Sequence, residues 1–161
     1  MRSAGRFSQW MLHSETMDEN ENETIELALL RYGVRKRFDF YEINVPYIMC
    51  IEGQLIRYRD VGVEIHVVLL SSGFNSEIPV EEFPSSVRVL MLGRRYNQPL
   101  DNLPDGIELI VFPEDGDFDR ELNNLPVSVK GIILNKRYSR PLGLVPAGTK
   151  FLYVGGTAAA I

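Results

Sequence analysis

Hydrophobic and polar positions follow one pattern that returns four times along the chain from Phe83 onward. Each copy has an apolar residue followed by proline, then two spacer residues, then an alternating apolar run. The copies begin at Phe83, Leu103, Leu125 and Val145, so their starts are 20, 22 and 20 residues apart. A fixed period near 20 residues predicts a solenoid, in which each copy forms one coil and stacked coils share a core.

The apolar run of each copy predicts a short strand whose alternate side chains point into the coil. Val87, Leu90 and Leu92 hold the inward positions in the first clear copy, with a Leu-x-x-Leu-x-Leu spacing. A degraded earlier copy begins at Ile65 and lacks the Leu-Pro start. We therefore predict a β-rich, right-handed solenoid with a parallel sheet of five strands, near residues 65–70, 87–92, 107–112, 129–134 and 149–154.

Two further columns recur after each strand. The first is aromatic, and we expect its rings to stack inside the coil turns: Phe74, Tyr96, Phe118 and Tyr138. The second contains only short polar side chains: Asn75, Asn97, Asp119 and Ser139. Such side chains hydrogen-bond nearby backbone groups, so we expect this column to satisfy backbone donors in the turns rather than to bind a ligand.

The chain before the solenoid has two zones. Residues 1–23 are polar and acidic, which predicts a mobile segment. Residues 24–60 predict a short helix and then β-strands that cap the first coil of a solenoid over residues 61–161. Asn20 and Glu23 have the spacing of a capping box for this helix, and Gly33 is placed to end it.

The outward side of the predicted strands is unusually apolar. Because alternate strand residues point to opposite sides, nine apolar side chains share the outward face: Val67, Leu69, Val89, Met91, Leu109, Val111, Ile133, Phe151 and Tyr153. A contiguous apolar patch rarely stays uncovered on a soluble monomer, so these residues are the predicted interaction site. The cover could be the N-terminal helix of the same chain, a second copy or another protein.

A homodimer is the specific partner prediction. The chain after Val154 reads Gly-Gly-Thr-Ala-Ala-Ala-Ile, in which we expect no terminal cap. The strand Lys150–Val154 would then present an unpaired apolar edge, and two such edges can meet antiparallel about a two-fold axis. We therefore expect a dimer through the C-terminal coil or through the adjoining outward face.

Composition narrows the remaining classes of function. The net charge of −5 argues against a nucleic-acid binder, whose phosphate contacts need a surplus of Lys and Arg. Cys50 is the only cysteine, which favours a reducing compartment. No stretch reads as a signal peptide or a membrane span, so we expect a soluble, intracellular and cytoplasmic protein without a membrane partner.

Candidate chemistry is sparse along the chain. His13, His66 and Cys50 are far apart in sequence, so we expect no metal site, no nucleophile and base pair, no cofactor and no enzymatic activity. Residues 114–121 carry Asp at alternating positions as a calcium loop does. That loop would need glycine at the position of Arg120 and glutamate at that of Pro126, so an exposed bulging loop is the better interpretation.

One copy resembles a known repeat. The run from Phe83 to Leu100 reads Phe-Pro-Ser-Ser-Val-Arg-Val-Leu-Met-Leu-Gly-Arg-Arg-Tyr-Asn-Gln-Pro-Leu, and it resembles an FNIP repeat, a variant of the leucine-rich repeat. The resemblance covers about residues 61–157. Two later copies lose the Asn, since they read Phe118-Asp119 and Tyr138-Ser139, and two of the three spacings are 20 residues where the family more often has 22.

The resemblance implies a non-enzymatic scaffold for protein–protein interaction with no catalytic residues. The family is common in amoebae and in the large DNA viruses that infect them, which makes a host or cellular protein a possible partner. Its members often carry an F-box-like segment before the repeats. The alternative function is therefore a substrate adaptor of a ubiquitin ligase with a degenerate F-box-like N-terminus.

Overall fold

A computed structural model describes residues 23–37, 40–52, 54–58, 64–142 and 144–159. The chain divides into two compact units, the first ending at Asn44 and the second beginning at Val45. The predicted mobile segment 1–23 lies outside the described residues except for Glu23.

The first unit contains the predicted helix and a small β-hairpin. Helix α1 spans Ile25–Arg31, and the Thr24 hydroxyl oxygen caps it by accepting a hydrogen bond from the Leu27 N–H at 3.2 Å. Gly33 has a φ of 81° just past the end of the helix, as the sequence predicted. The predicted cap Asn20 lies outside the described residues. Strands β1 (Val34–Lys36) and β2 (Tyr41–Ile43) then pair antiparallel.

The second unit is the predicted β-solenoid of about five turns. Strands β5 to β9 pair in parallel and in one register, which aligns Val67, Val89, Leu109, Gly131 and Phe151. A short 3₁₀-helix lies on the return path of the first coil, at Val80–Glu82. The strands are β3 (Tyr47–Ile51), β4 (Gln54–Tyr58), β5 (Val67–Leu70), β6 (Val89–Met91), β7 (Leu109–Val111), β8 (Gly131–Leu134), β9 (Phe151–Val154) and β10 (Thr157–Ala158).

The first coil is preceded by a hairpin that belongs to the same sheet. Strands β3 and β4 pair antiparallel, and β3 pairs in parallel with β5, so the sheet order is β10-β9-β8-β7-β6-β5-β3-β4. Cys50 lies opposite Leu70 in this register, and both side chains are buried. The strand-rich segment before the coils therefore extends the solenoid sheet by two strands.

The core runs inside the coils along the predicted inward positions. Val87, Leu90 and Leu92 are buried, as are the equivalent residues of the neighbouring coils. Thr149 is the polar exception in this column, and within the described part of the chain its hydroxyl has no hydrogen-bond partner. Because one coil cannot enclose these side chains by itself, the core exists only where coils stack.

The last strand is not the open edge that the sequence predicted. Strand β10 pairs antiparallel with β9, and the Ala159 N–H donates to the Leu152 carbonyl at 2.7 Å. Gly155 and Gly156 have φ values of 59° and 84°, the left-handed pair that a tight two-residue hairpin turn requires. Two glycines reverse the chain so sharply that a few residues suffice for a cap. The prediction of an unpaired edge at Lys150–Val154 is therefore wrong.

We expect Leu90→Ala to lower the free energy of unfolding by roughly 2–5 kcal/mol, because it opens a cavity in the stacked core. Arg94→Ala is the control, since this exposed side chain makes only a surface ion pair with Asp115 at 3.6 Å. The control should change stability by less than about 0.5 kcal/mol in urea unfolding. Equal shifts of the two unfolding midpoints would contradict the inward assignment of Leu90.

We expect Gly155→Ala to destabilise the protein by about 1–3 kcal/mol, because alanine strains a left-handed backbone. Its Cβ would also lie 2.5 Å from the Cβ of Lys136. Gly73→Ala is the matched control, because a Cβ there meets nothing within 4 Å. Thermal unfolding should separate the two variants clearly, and an equally stable pair would argue against the β9–β10 hairpin.

Candidate interaction site

The aromatic column stacks inside the coil turns as predicted. Ring centroids are 6.4 Å apart for Phe74 and Tyr96, 6.2 Å for Tyr96 and Phe118, and 5.9 Å for Phe118 and Tyr138. The Tyr138 hydroxyl donates to the Arg120 carbonyl at 2.9 Å. Burial raises the pKa of Tyr138 to about 12, with the Asp119 carboxylate as a second cause. The column is therefore structural, and each ring contacts its neighbour in the next coil.

The short polar column forms a ladder of side-chain to backbone hydrogen bonds. The Asn75 side-chain oxygen accepts from the Asn97 N–H at 2.8 Å, and the Asn97 oxygen accepts from the Asp119 N–H at 2.9 Å. The Asp119 carboxylate continues the series by accepting from the Ser139 N–H at 2.8 Å. These hydrogen bonds confirm that the column satisfies backbone donors. Each side chain accepts from a backbone N–H of the coil that follows its own.

Glu52 supplies the first rung of this ladder, which the sequence analysis missed. Its carboxylate accepts from the Asn75 N–H at 2.9 Å and from the Ser76 hydroxyl at 2.6 Å and 2.9 Å. Glu52 lies at the end of the β3–β4 hairpin, outside the repeat spacing, so no alignment of the copies points to it. The longer Glu52 side chain accepts a backbone N–H of the next coil, as the shorter Asn side chains do within the solenoid.

A second ladder uses the residue after each polar rung, and it was also missed. Gln98 donates to the Asn75 carbonyl at 3.2 Å through its amide. The Nε groups of Arg120 and Arg140 donate to the carbonyls of Asn97 and Asp119 at 3.0 Å and 2.9 Å. These exposed side chains therefore hold backbone oxygens of the preceding coil. A column of long donor side chains directly after the short polar column is the sequence signal for it.

The acidic run at 114–121 lies on the turn of its coil and is matched by arginines of neighbouring coils. Arg94 approaches Asp115 at 3.6 Å, Arg137 approaches Asp117 at 3.5 Å, and Asp119 serves the ladder. Within the described ranges no three potential metal-ligating side chains come together. The arrangement is a surface of mixed charge.

Cys50 and His66 are the described residues that the sequence analysis considered as a nucleophile or a base, and both make structural contacts. Burial raises the pKa of the Cys50 thiol to about 12, with the Glu82 carboxylate as the second cause, so it is protonated near neutral pH. His66 lies in the charged column that flanks the sheet, with its Nδ1 2.9 Å from the Ser86 carbonyl oxygen. In the same column Glu108 lies between Arg88 and Lys130, at 3.9 Å and 3.7 Å. His13 lies outside the described residues.

The nine predicted interaction residues lie on β5 to β9, and they differ in exposure. Five are buried within the chain: Val67, Val89, Met91, Leu109 and Val111. Four are half-buried: Leu69, Ile133, Phe151 and Tyr153. Three of the half-buried residues lie on the neighbouring strands β8 and β9, where Ile133 is opposite Tyr153. The accessible part of the outward face therefore lies mainly at these last two coils, and Leu69 on β5 is accessible apart from them.

Gly131 interrupts one of the two outward columns of the sheet. It is the only residue without a side chain in its outward column, where it lies opposite Leu109 on one side and Phe151 on the other. Gly131 is itself buried, as is Leu109, so this position is not part of the accessible face.

Comparison with known proteins gives one finding. A family model described as FNIP Repeat matches residues 74–115. Neither a curated protein nor a solved structure matches the chain. The matched segment contains the first two rings of the aromatic column, Phe74 and Tyr96, and the Asn75 and Asn97 residues of the polar column, so it covers the contacts that join the first two coils. Among the described residues no helix is long and apolar enough to cross a membrane.

We expect acid to weaken the ladder. Hydrogen bonds from Ser139 lower the pKa of Asp119, and those from Ser76 and Asn75 lower the pKa of Glu52. Since both pKa values lie below those of the unfolded chain, the carboxylates stabilise the fold above about pH 4. This stabilisation is lost as the pH falls through the folded-state values.

Asp119→Asn isolates one rung, because asparagine keeps the accepting oxygen but does not titrate. The variant should lose less stability than the parent between about pH 5 and pH 2 in urea unfolding. Asp105→Asn removes an exposed carboxylate outside the ladder and should follow the parent. An Asp119→Asn curve that runs parallel to the parent would contradict the ionised rung.

Proposed function

Because this chain is an FNIP-repeat protein, we propose that it is a non-enzymatic scaffold that binds protein chains through its outward sheet face. A solenoid of this kind presents a rigid surface whose shape is set by the stacking of its coils. Its residues are supported from behind by the continuous core, so the surface can hold a fixed shape when a partner binds.

The half-buried apolar patch on β8 and β9 is the observation that carries the proposal. Ile133, Phe151 and Tyr153 are half-buried and lie on the adjacent strands β8 and β9. Aromatic side chains dominate the energetics of many interfaces, because they bury a large area at a small cost in conformational entropy. We take this patch as the part of the predicted site that a partner reaches.

A second copy of the chain is the partner we propose. An isologous contact places the same patch on both sides of a two-fold axis, so Phe151 and Tyr153 of each copy would meet an equally apolar surface. This replaces the strand-edge contact, because β10 occupies the edge of β9. The dimer would therefore form face to face through the sheet.

The absence of catalysis is also part of the proposal. Cys50 has a raised pKa and is buried, and the Nδ1 of His66 is directed at a backbone carbonyl. Neither group is arranged as an activated nucleophile or as its base. The net charge of −5 argues against nucleic acid as the partner, and the reduced, buried thiol suits a cytoplasmic location.

We expect light scattering coupled to gel filtration to show a mass near twice 18.3 kDa at tens of micromolar protein. Tyr153→Glu should shift the protein to the monomer mass, because it places a carboxylate in the apolar contact. Val127→Glu is the matched control, since this side chain is 87% exposed in a loop away from the patch. It should remain dimeric.

A parent that stays at 18.3 kDa would overturn the dimer. So would a Tyr153→Glu variant that associates as strongly as the parent. Circular dichroism of both variants checks that the fold is intact.

A further inference from the structure

We propose that a cleft between the return segments of the first two coils binds a short cationic and apolar segment of a partner protein. The cleft has a volume of about 240 Å³ and lies between residues 77–80 and 98–103. It is separate from the outward sheet face, so this proposal does not depend on the dimer.

The floor of the cleft is apolar and fixed. Ile78 and Leu100 form it, and both are buried in the continuous core of the solenoid. Val80 and Leu103 are half-buried and pack against the same core, which leaves part of each side chain accessible from the cleft. An apolar side chain or a run of methylene groups placed there would lose contact with water and gain contact with these residues.

The rim of the cleft is acidic. Glu77 and Asp101 line it from the two coils, and Glu81 and Glu82 lie on the adjoining 3₁₀-helix. Within the described part of the chain none of these four carboxylates makes an ion pair. Elsewhere on the solenoid the pattern is different, since Glu108, Asp115 and Asp117 each lie within 4 Å of a lysine or arginine nitrogen.

The local sequence explains why these carboxylates have no ion-pair partner among the described residues. Residues 71–87 and 96–119, which supply both walls of the cleft, contain no lysine and no arginine. The basic side chains of this part of the solenoid lie next to strand β6, Arg88 directly before it and Arg94 and Arg95 in the turn after it, and not on the return segments. The potential in the cleft is therefore set by carboxylates over an apolar surface.

Charge complementarity selects the occupant. Lysine and arginine place a methylene stem on an apolar surface and keep the charged end in water, which fits this floor and this rim. A second copy of the chain is a poor occupant, because each copy carries a net charge of −5. A bare metal ion is also a poor occupant, because no three ligating side chains of the described residues converge.

The binding should be weak and dependent on salt. The rim carboxylates are exposed, so their attraction for a cation is screened within about 10 Å at moderate ionic strength. The cleft is also smaller than a pocket for a whole drug-sized ligand. One or two residues of an extended segment would fill it, which is typical of a transient contact.

Fluorescence anisotropy with synthetic peptides tests the proposal. The probe is a labelled peptide that repeats Lys-Leu-Gly, compared with Lys-Ser-Gly and Glu-Leu-Gly peptides of the same length. We expect saturable binding of the Lys-Leu-Gly peptide that weakens as salt is added. The Lys-Ser-Gly peptide should bind at least about fivefold more weakly, and the Glu-Leu-Gly peptide should not bind.

The paired variant Glu77→Gln/Asp101→Asn should weaken binding of the Lys-Leu-Gly peptide by about tenfold at low salt. The matched control is Glu114→Gln/Glu121→Gln, which removes the same charge from an exposed turn elsewhere. It should stay within about twofold of the parent. Tyr153→Glu should bind the peptide like the parent, which separates this site from the dimer face.

Three results would overturn the proposal. Equal weakening by the two paired variants would mean that the peptide responds only to overall charge. Equal binding of the Ser and Leu peptides would remove the role of the apolar floor. A change in dimer mass caused by Glu77→Gln/Asp101→Asn would assign the cleft to a second copy instead. Urea midpoints close to that of the parent establish that both paired variants fold.

Discussion

Hydrogen bonding between successive coils is the constraint on which the rest of this structure depends. The carbonyl of the residue before each strand accepts two N–H groups from the following coil, as His66 does from Arg88 and Val89. Arg88, Glu108 and Lys130 repeat this arrangement one coil further each time. Since each strand bonds to the strands of neighbouring coils and one coil does not enclose its own core, every other feature requires the coils to remain in register.

The turn columns hold the same register by different physical means. Stacked rings bury apolar area between coils, while the oxygens of Asn75, Asn97 and Asp119 fix the spacing of the backbone. The rings tolerate small shifts, whereas the hydrogen bonds do not, because their strength falls steeply with distance and angle. Together they give a surface rigid enough for the patch at Phe151 and Tyr153 to keep one shape.

Much of the fold could be predicted because each copy of the repeat has the same kinds of residue at the same positions. Proline followed by an alternating run places the strands, and the aromatic and short polar columns follow at constant offsets. The role of Glu52 in the ladder was not predicted, because this residue belongs to a hairpin with no counterpart among the copies. The β9–β10 hairpin was not predicted, because Gly155 and Gly156 were interpreted as the end of the last strand. Their left-handed backbone makes a turn instead.

The candidate sites were only partly predictable from the sequence. Alternation correctly places the outward residues on one side of each strand, but it carries no information about which of them stay accessible. Burial at Val89 and partial exposure at Phe151 depend on the whole chain. The acidic cleft arises between two return segments that have no periodic pattern, so only the folded chain brings Ile78, Leu100 and Asp101 together.

The ladder also bears on how such a chain can change its length. An interior coil offers to the next coil the same donors and acceptors that it receives from the one before, so one whole period could be duplicated or lost without new contacts. A single residue gained within a strand would instead exchange its inward and outward side chains. The 22-residue spacing between Leu103 and Leu125 places its two additional residues in the turn before Phe118, where the ring stack continues. The first coil also spans 22 residues, from Val67 to Val89, and its two additional residues lie in the return segment that contains the 3₁₀-helix. Variation in length is thus confined to whole coils and to the segments between strands.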